Sequence, residues 1–303
     1  MEIQSIPCYF PSHLTKAPTA MGLLFFMCVT ISNMFTTFIN DCKDDNARAR
    51  QTSRVGSLLN SNLSFIGVDS DLEAGMQLID ILDATGGREG MILINVAPRG
   101  GHTRKWENGT PFAYFWYKQT LVISSVDGYA LSAVKKLALT EKIRVLDTRL
   151  VTTTMREEGF ITNNEAERIV TSQFRSFDFT PRVGVFMMKG NHVPSEELNF
   201  EDIPELPLAI WNIDNFGNCK TTLTLNDLNK DKTINTRYGT LPYFEQLRNV
   251  PDGELALVKG SSGIDDIRFI EILMQRKDFA KIYNAKIGDD VFENKSYFRK
   301  ATN

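Results

Sequence analysis

The chain has 303 residues, 42% hydrophobic and 23% charged, which allows a large buried core and puts two domains within reach. A net charge of −3 provides no basic face to neutralise phosphates, which excludes a general nucleic-acid binder. Cys8, Cys28, Cys42 and Cys219 are scattered, and His13, His102 and His192 stand in no ligand spacing, so a disulfide framework and a metal site are excluded and a reducing, cytoplasmic compartment is expected.

Residues 1–33 read as an extension, disordered or lying ahead of a true start at Met34. Within it Ala20 to Val29, behind Lys16, has the apolar core of a signal peptide, but Thr30, Ser32 and Asn33 cut it short of a membrane span. The first strand follows at once, with no room for a cleavage site, so no stable membrane association is expected. Phe35 to Ile39 is β-branched and aromatic and reads as a buried strand ending in Asn40-Asp41. Asp44 to Asn60 is a helix with apolar positions at Val55, Leu58 and Leu59, and with Arg48, Arg50 and Arg54 on its solvated face. Phe65 to Val68 is a second strand, ending in Asp69-Ser70-Asp71. Leu72 to Ala84 is amphipathic, with Leu72, Met76, Ile79 and Leu82 at helical spacing and Asp71 placed to cap it. Met91 to Val96 is an uninterrupted apolar run, as in a central parallel strand covered on both faces. Thr120 to Ser124 is a further strand and Tyr129 to Leu139 a further helix.

This alternation predicts an N-terminal doubly wound α/β domain over 34–192. Pro194, Pro204 and Pro207 among Glu196, Glu197, Glu201, Asp202 and Glu205 mark a linker over 193–207. Strand-like segments and turns fill 208–303, with helix only at Asp278 to Tyr283, so a small antiparallel, barrel-like β-domain is expected there.

Ligands of open α/β sheets sit at the carboxyl ends of the strands. Three such ends are polar: Asn40-Asp41, Asp69-Ser70-Asp71, and Asn95 to Gly101, where a Gly100-Gly101 turn can offer N–H groups to an anion. Asp41 can also be read as a helix cap. In the C-terminal part, Ile213-Asp214-Asn215-Phe216-Gly217-Asn218 can be read as a plain hairpin turn. It is followed, however, by Gly260-Ser261-Ser262-Gly263, then Phe269-Ile270-Glu271-Ile272-Leu273, then Gly288-Asp289-Asp290-Val291.

Together these segments resemble the C-terminal domain of the S-adenosylmethionine hydroxide adenosyltransferases and their fluorinase and chlorinase relatives. That family carries an Asp-x-Phe-Gly-Asn turn, an Asn-Ser-x-Gly loop, a Leu-Glu-Ile strand and a closing Gly-Asp-x-Val. The resemblance implies that Asp41 holds the ribose hydroxyls, Asp214 the methionine amino group and Asn218 the adenine edge, with Phe216 in the same turn. It puts Ser261 and Ser262 in the substrate loop, and Asp69 and Gly100 among the substrate-binding strand ends. Trp106, Trp116 and Trp211 are either packed or stacked on adenine. Hydrolytic members carry Asp-Pro-Gly-Val-Gly-x-x-Arg, where this chain reads Ala97-Pro98-Arg99-Gly100-Gly101-His102-Thr103-Arg104. The acid has become Ala97, while Arg104 is kept in register. Ser124-Ser125-Val126-Asp127-Gly128 resembles the family's Pro-Asp-Asn-Gly turn, and Arg175 in Phe174 to Asp178 stands where hydrolases have a catalytic His. Arg104 and Asp127 are thus the catalytic candidates.

The reaction implied is attack on the 5′ carbon of S-adenosylmethionine by water, or less readily by halide, giving adenosine or a 5′-substituted adenosine plus methionine. No cofactor is implied, and the family's inter-subunit site implies a homotrimer. Two other readings remain open: a catalytically degenerate nucleoside-binding protein, and a carbohydrate- or nucleotide-processing α/β enzyme whose turn matches by chance.

Overall fold

The computed structural model describes residues 34–97, 110–228 and 233–292. In chain order its N-terminal half runs β1 (Met34–Asn40), α1 (Asp45–Gly56), β2 (Ser61–Gly67), α2 (Asp71–Thr85), β3 (Gly90–Asn95), β4 (Phe112–Tyr117), β5 (Thr120–Ser125), α3 (Ser132–Lys136), β6 (Arg144–Leu146), α4 (Thr148–Glu157), α5 (Asn163–Thr171), α6 (Arg175–Asp178), α7 (Thr180–Met188) and β7 (Glu196–Glu197). The sheet order is β2-β1-β3-β5-β4-β6-β7, parallel through its first four strands and antiparallel beyond. Runs of consecutive apolar residues let the central strands feed two cores. Ile92 and Ile94 of β3 join the cluster under α2 and α3, while Met91 and Leu93 join the cluster under α1, α4, α5 and α7. Helices on both faces make this the doubly wound domain that the alternation predicts.

The C-terminal half runs β8 (Ile210–Ile213), β9 (Cys219–Thr221), β10 (Thr233–Thr236), β11 (Gly239–Phe244), β12 (Leu255–Ile264), β13 (Ile267–Met274) and α8 (Phe279–Tyr283). It forms a six-stranded sheet in the order β10-β11-β12-β13-β9-β8, antiparallel except for a short parallel pairing of β11 with β12. The order is linear, with β10 and β8 at the edges.

Several local readings change. Asp71 does not cap α2: Ser70 adopts the extended cap conformation and its hydroxyl accepts from Glu73 N, which frees Asp71 for a tertiary contact. The helix expected over 129–139 shrinks to five residues, because Gly128 turns at φ 66 before it and Ala138 leaves helical backbone at φ 48. The first helix ends at Gly56 rather than Asn60, and β2 starts earlier than expected, at Ser61. The Gly260-Ser261-Ser262-Gly263 segment is no free loop but part of β12, which slips register between Lys259 and Gly263.

Helix α2 joins the two halves. Leu72, Met76, Ile79 and Leu82 are fully buried, each worth about 1.5–3 kcal/mol relative to exposure. Trp211, Ile264 and Phe269 of the C-terminal sheet belong to the same apolar cluster. Polar contacts continue the seam. Asp80 accepts from Ser262 Oγ at 2.9 Å and Gly263 N at 3.1 Å, and Asp83 takes Arg268 through both guanidinium nitrogens, at 2.8 and 3.2 Å.

Candidate functional site

The carboxyl ends of β1, β3 and β5 are tied into one polar floor. Asn40, 1% exposed, donates to Gln51 Oε1 at 2.9 Å and accepts from Cys42 N at 2.8 Å and Asn95 Nδ2 at 3.3 Å. Ser125 accepts from Val96 N and donates to Val96 O, stitching β5 to β3. Asn40 is therefore a frame residue, and the next residue carries the chemistry. Asp41 N donates to Asn95 O at 3.3 Å, and its Oδ2 accepts Ala97 N at 2.9 Å. The first and third polar strand ends thus meet at Asp41 and Ala97, and Asp41 Oδ1 has no hydrogen bond among the described residues. The carboxylate does not cap α1, since Asp44 does so by accepting from Ala47 N.

Asp127, 8% exposed, lies beyond β5 and accepts the hydroxyl hydrogen of Thr110. Arg175 reaches the same residue from α6, donating from Nη2 to Thr110 O at 2.6 Å. Its guanidinium stacks over the Phe112 ring at 5.3 Å. Burial pushes the Arg175 cation below its ordinary value, and the Asp127 carboxylate opposes that shift. Arg175 is thus a cation that shares Thr110 with Asp127. Nothing in the sequence marked Thr110, because its role depends on strand ends that meet only in the fold.

Asp69 is placed differently. It is a surface carboxylate, 76% exposed, paired with Lys43 Nζ at 2.6 Å. The candidates Gly100 and Arg104 lie outside the described residues, as do Trp106 and the 1–33 extension. Trp211 is 1% exposed and packed, whereas Trp116 is 42% exposed on β4.

In the C-terminal half, Asp214 organises its own turn. Oδ1 accepts from Phe216 N at 2.8 Å and Asn218 N at 2.9 Å, while Oδ2 accepts from Asn218 Nδ2 at 2.9 Å. Gly217 supplies φ +84, and Phe216 is 70% exposed at the tip. Asn218 keeps its side-chain oxygen out of this network. Ser262 is 2% exposed and held between Asp80 and Lys220, so its hydroxyl serves the seam between the two halves. Ser261 is exposed, its N–H directed at Glu271 Oε1 at 3.4 Å. Burial pushes the Glu271 carboxyl upward, as it does the Cys219 thiol, to about 12. No helix among the described residues is long and apolar enough to cross a membrane, and none of their His, Cys, Asp or Glu side chains gather in threes as metal ligands do.

Residues 208–292 match the family model described as the SAM hydroxide adenosyltransferase C-terminal domain. No curated protein matches the sequence. Among solved structures, an uncharacterized conserved protein from Thermotoga maritima is similar at TM-score 0.58 and 15% identity, over 84% of this chain and 98% of its own. A conserved hypothetical protein from Thermus thermophilus is similar at TM-score 0.51 and 15% identity, over 84% of this chain and 97% of its own. At that identity the two structures speak for the fold alone. Residues 208–292 are thus similar to the C-terminal domain of the SAM hydroxide adenosyltransferases, and in this chain they stand behind an α/β domain.

Proposed function

We propose that the protein binds the nucleoside of S-adenosylmethionine and displaces methionine from its 5′ carbon, with water as the nucleophile. The observation that carries this reading is Asp41, fixed through Oδ2 on Ala97 N at the meeting of two strand ends. A carboxylate with one oxygen anchored and the other turned to the site can accept from a ribose cis-diol. Asn218, with an amide that both donates and accepts, suits the adenine edge. Asp214, already a multiple acceptor, suits the methionine ammonium through charge-assisted hydrogen bonds. Asp127 and Arg104 are the groups that would orient water. No cofactor is called for, because a sulfonium is a good leaving group and positioning supplies much of the rate. A homotrimer, with Asp214 and Asn218 facing Asp41 or Gly100 of a neighbouring subunit, completes the proposal.

The substitutions at Ala97 and Arg175 set the expected rate. General acid–base positioning contributes on the order of 10²–10⁴-fold, and two of the groups that supply it in hydrolases are changed. Turnover should therefore be slow while nucleoside binding persists. A catalytically degenerate nucleoside-binding protein is the second reading, favoured by those same two residues. Incubation with S-adenosylmethionine followed by chromatography for adenosine and methionine separates them. Slow stoichiometric release of both supports the enzyme, whereas intact substrate beside measurable adenosine binding supports the binder.

A further inference from the structure

Helix α2 grips the turn over 126–131 at two positions on one face. Asp71 Oδ2 accepts Tyr129 N–H at 2.7 Å. Four residues on, where a helix presents the same face, a Cβ on Gly75 would stand 2.8 Å from Tyr129 O and 3.0 Å from Ala130 O. Both contacts are to main chain, so what α2 fixes is the path of the turn and not a movable side chain. Asp127 lies two residues before Tyr129, joined to it through Gly128 at φ 66. Asp71 is 7% exposed, a costly place for a carboxyl unless its hydrogen bonds are made. Burial together with the charge of Asp127 pushes it upward, against the Tyr129 N–H. The far end of α2 is held by the C-terminal sheet through Asp80 and Asp83, so the helix cannot simply swing away from the turn.

We propose that Asp71, together with Gly75, is a positioning residue: it holds the 126–131 turn so that Asp127 stays against Thr110 at the strand ends. The function of Asp127 rests on the adenosyltransferase reading above, whereas its placement by α2 does not. Asp71 touches no reacting atom and acts through the turn alone.

The test compares the intact wild-type chain with Asp71→Ala, Asp71→Asn and Gly75→Ala. Amide hydrogen exchange over 126–131 reads the placement without reference to any ligand. Single-turnover release of adenosine from S-adenosylmethionine reads its consequence. In Asp71→Ala the Tyr129 amide should lose protection, and the release rate should fall roughly 10²-fold, as for a catalytic group displaced by about 1 Å, with KM little changed. Asp71→Asn, whose amide oxygen still accepts from Tyr129 N–H, should restore both. Gly75→Ala should reproduce the loss with the carboxylate in place, which separates displacement of the turn from loss of charge. Unchanged exchange over 126–131 in both Asp71→Ala and Gly75→Ala would overturn the proposal. So would exposed turns with an undiminished release rate. If the wild type binds adenosine but releases none from S-adenosylmethionine, the reaction assigned above fails. The placement is then decided by exchange alone, which should rise over 126–131 in Asp71→Ala and return to the wild-type level in Asp71→Asn.

Discussion

Asn40 and Asn218 show how one residue type takes different roles according to its partners. Asn40 spends its amide on Gln51 and neighbouring N–H groups, while Asp41 next to it leaves Oδ1 without a hydrogen bond among the described residues. Asn218 gives one N–H to Asp214 and keeps its carbonyl oxygen out of the turn. Asn218→Ala should weaken adenosine binding by roughly 1–3 kcal/mol, the cost of leaving a desolvated polar edge without its partner. Calorimetric titration checks this, and an unchanged Kd would remove Asn218 from the site. Asp80 has a different consequence, in pH. Burial pushes its carboxyl upward despite Ser262 and Gly263. The folded state therefore holds that proton more tightly than the unfolded chain. The group's contribution to stability is full below the ordinary carboxylate value and is lost as pH rises through the raised one. The Tm of wild type minus that of Asp80→Asn should accordingly fall as pH rises above the ordinary carboxylate value of about 4. A difference that stays flat or grows would contradict the buried carboxyl.

At the scale of elements, the Asp214–Asn218 turn is held from two sides. Its internal hydrogen bonds close it, and Ala280 N of α8 donates to Gly217 O at 3.0 Å. A Cβ on Gly217 would run into the Asp278 carboxylate, and the left-handed backbone there costs a non-glycine residue about 1–2 kcal/mol by itself. Gly217→Ala should lower the Tm and adenosine affinity together, which differential scanning calorimetry and titration can follow. A variant with native Tm and native affinity would show the turn to be dispensable. This turn was legible in the sequence because Asp, Asn and Gly encode their backbone locally. β1, β3 and α2 were legible for a similar reason, since continuous apolar runs and helical spacing are written within each segment. β4 was missed although five of the six residues of Phe112–Tyr117 are aromatic, and so were α4 and α5, whose Thr-rich or charged sequences depend on tertiary cover. The Thr110–Asp127–Arg175 group was half legible. Two of its members were marked by the family turns, but the threonine that joins them is 17 residues from one and 65 from the other. The role of Ser262 was hidden for the same reason, because Asp80 lies 182 residues away.

For the whole molecule, α2 makes the two sheets energetically dependent. The described residues cluster as one compact unit, and Trp211, Ile264 and Phe269 share an apolar core with Leu72, Ile79 and Leu82. Heating should therefore melt both sheets in a single cooperative transition, and two resolved calorimetric peaks would contradict that coupling. The account turns most directly on Asp41. Adenosine titrated calorimetrically into the intact protein measures the claim without needing turnover. The prediction is saturable binding by the wild type that Asp41→Ala abolishes or severely weakens, at unchanged Tm. An absence of binding by the wild type, or an Asp41→Ala variant that binds as tightly, would contradict a nucleoside site at these strand ends.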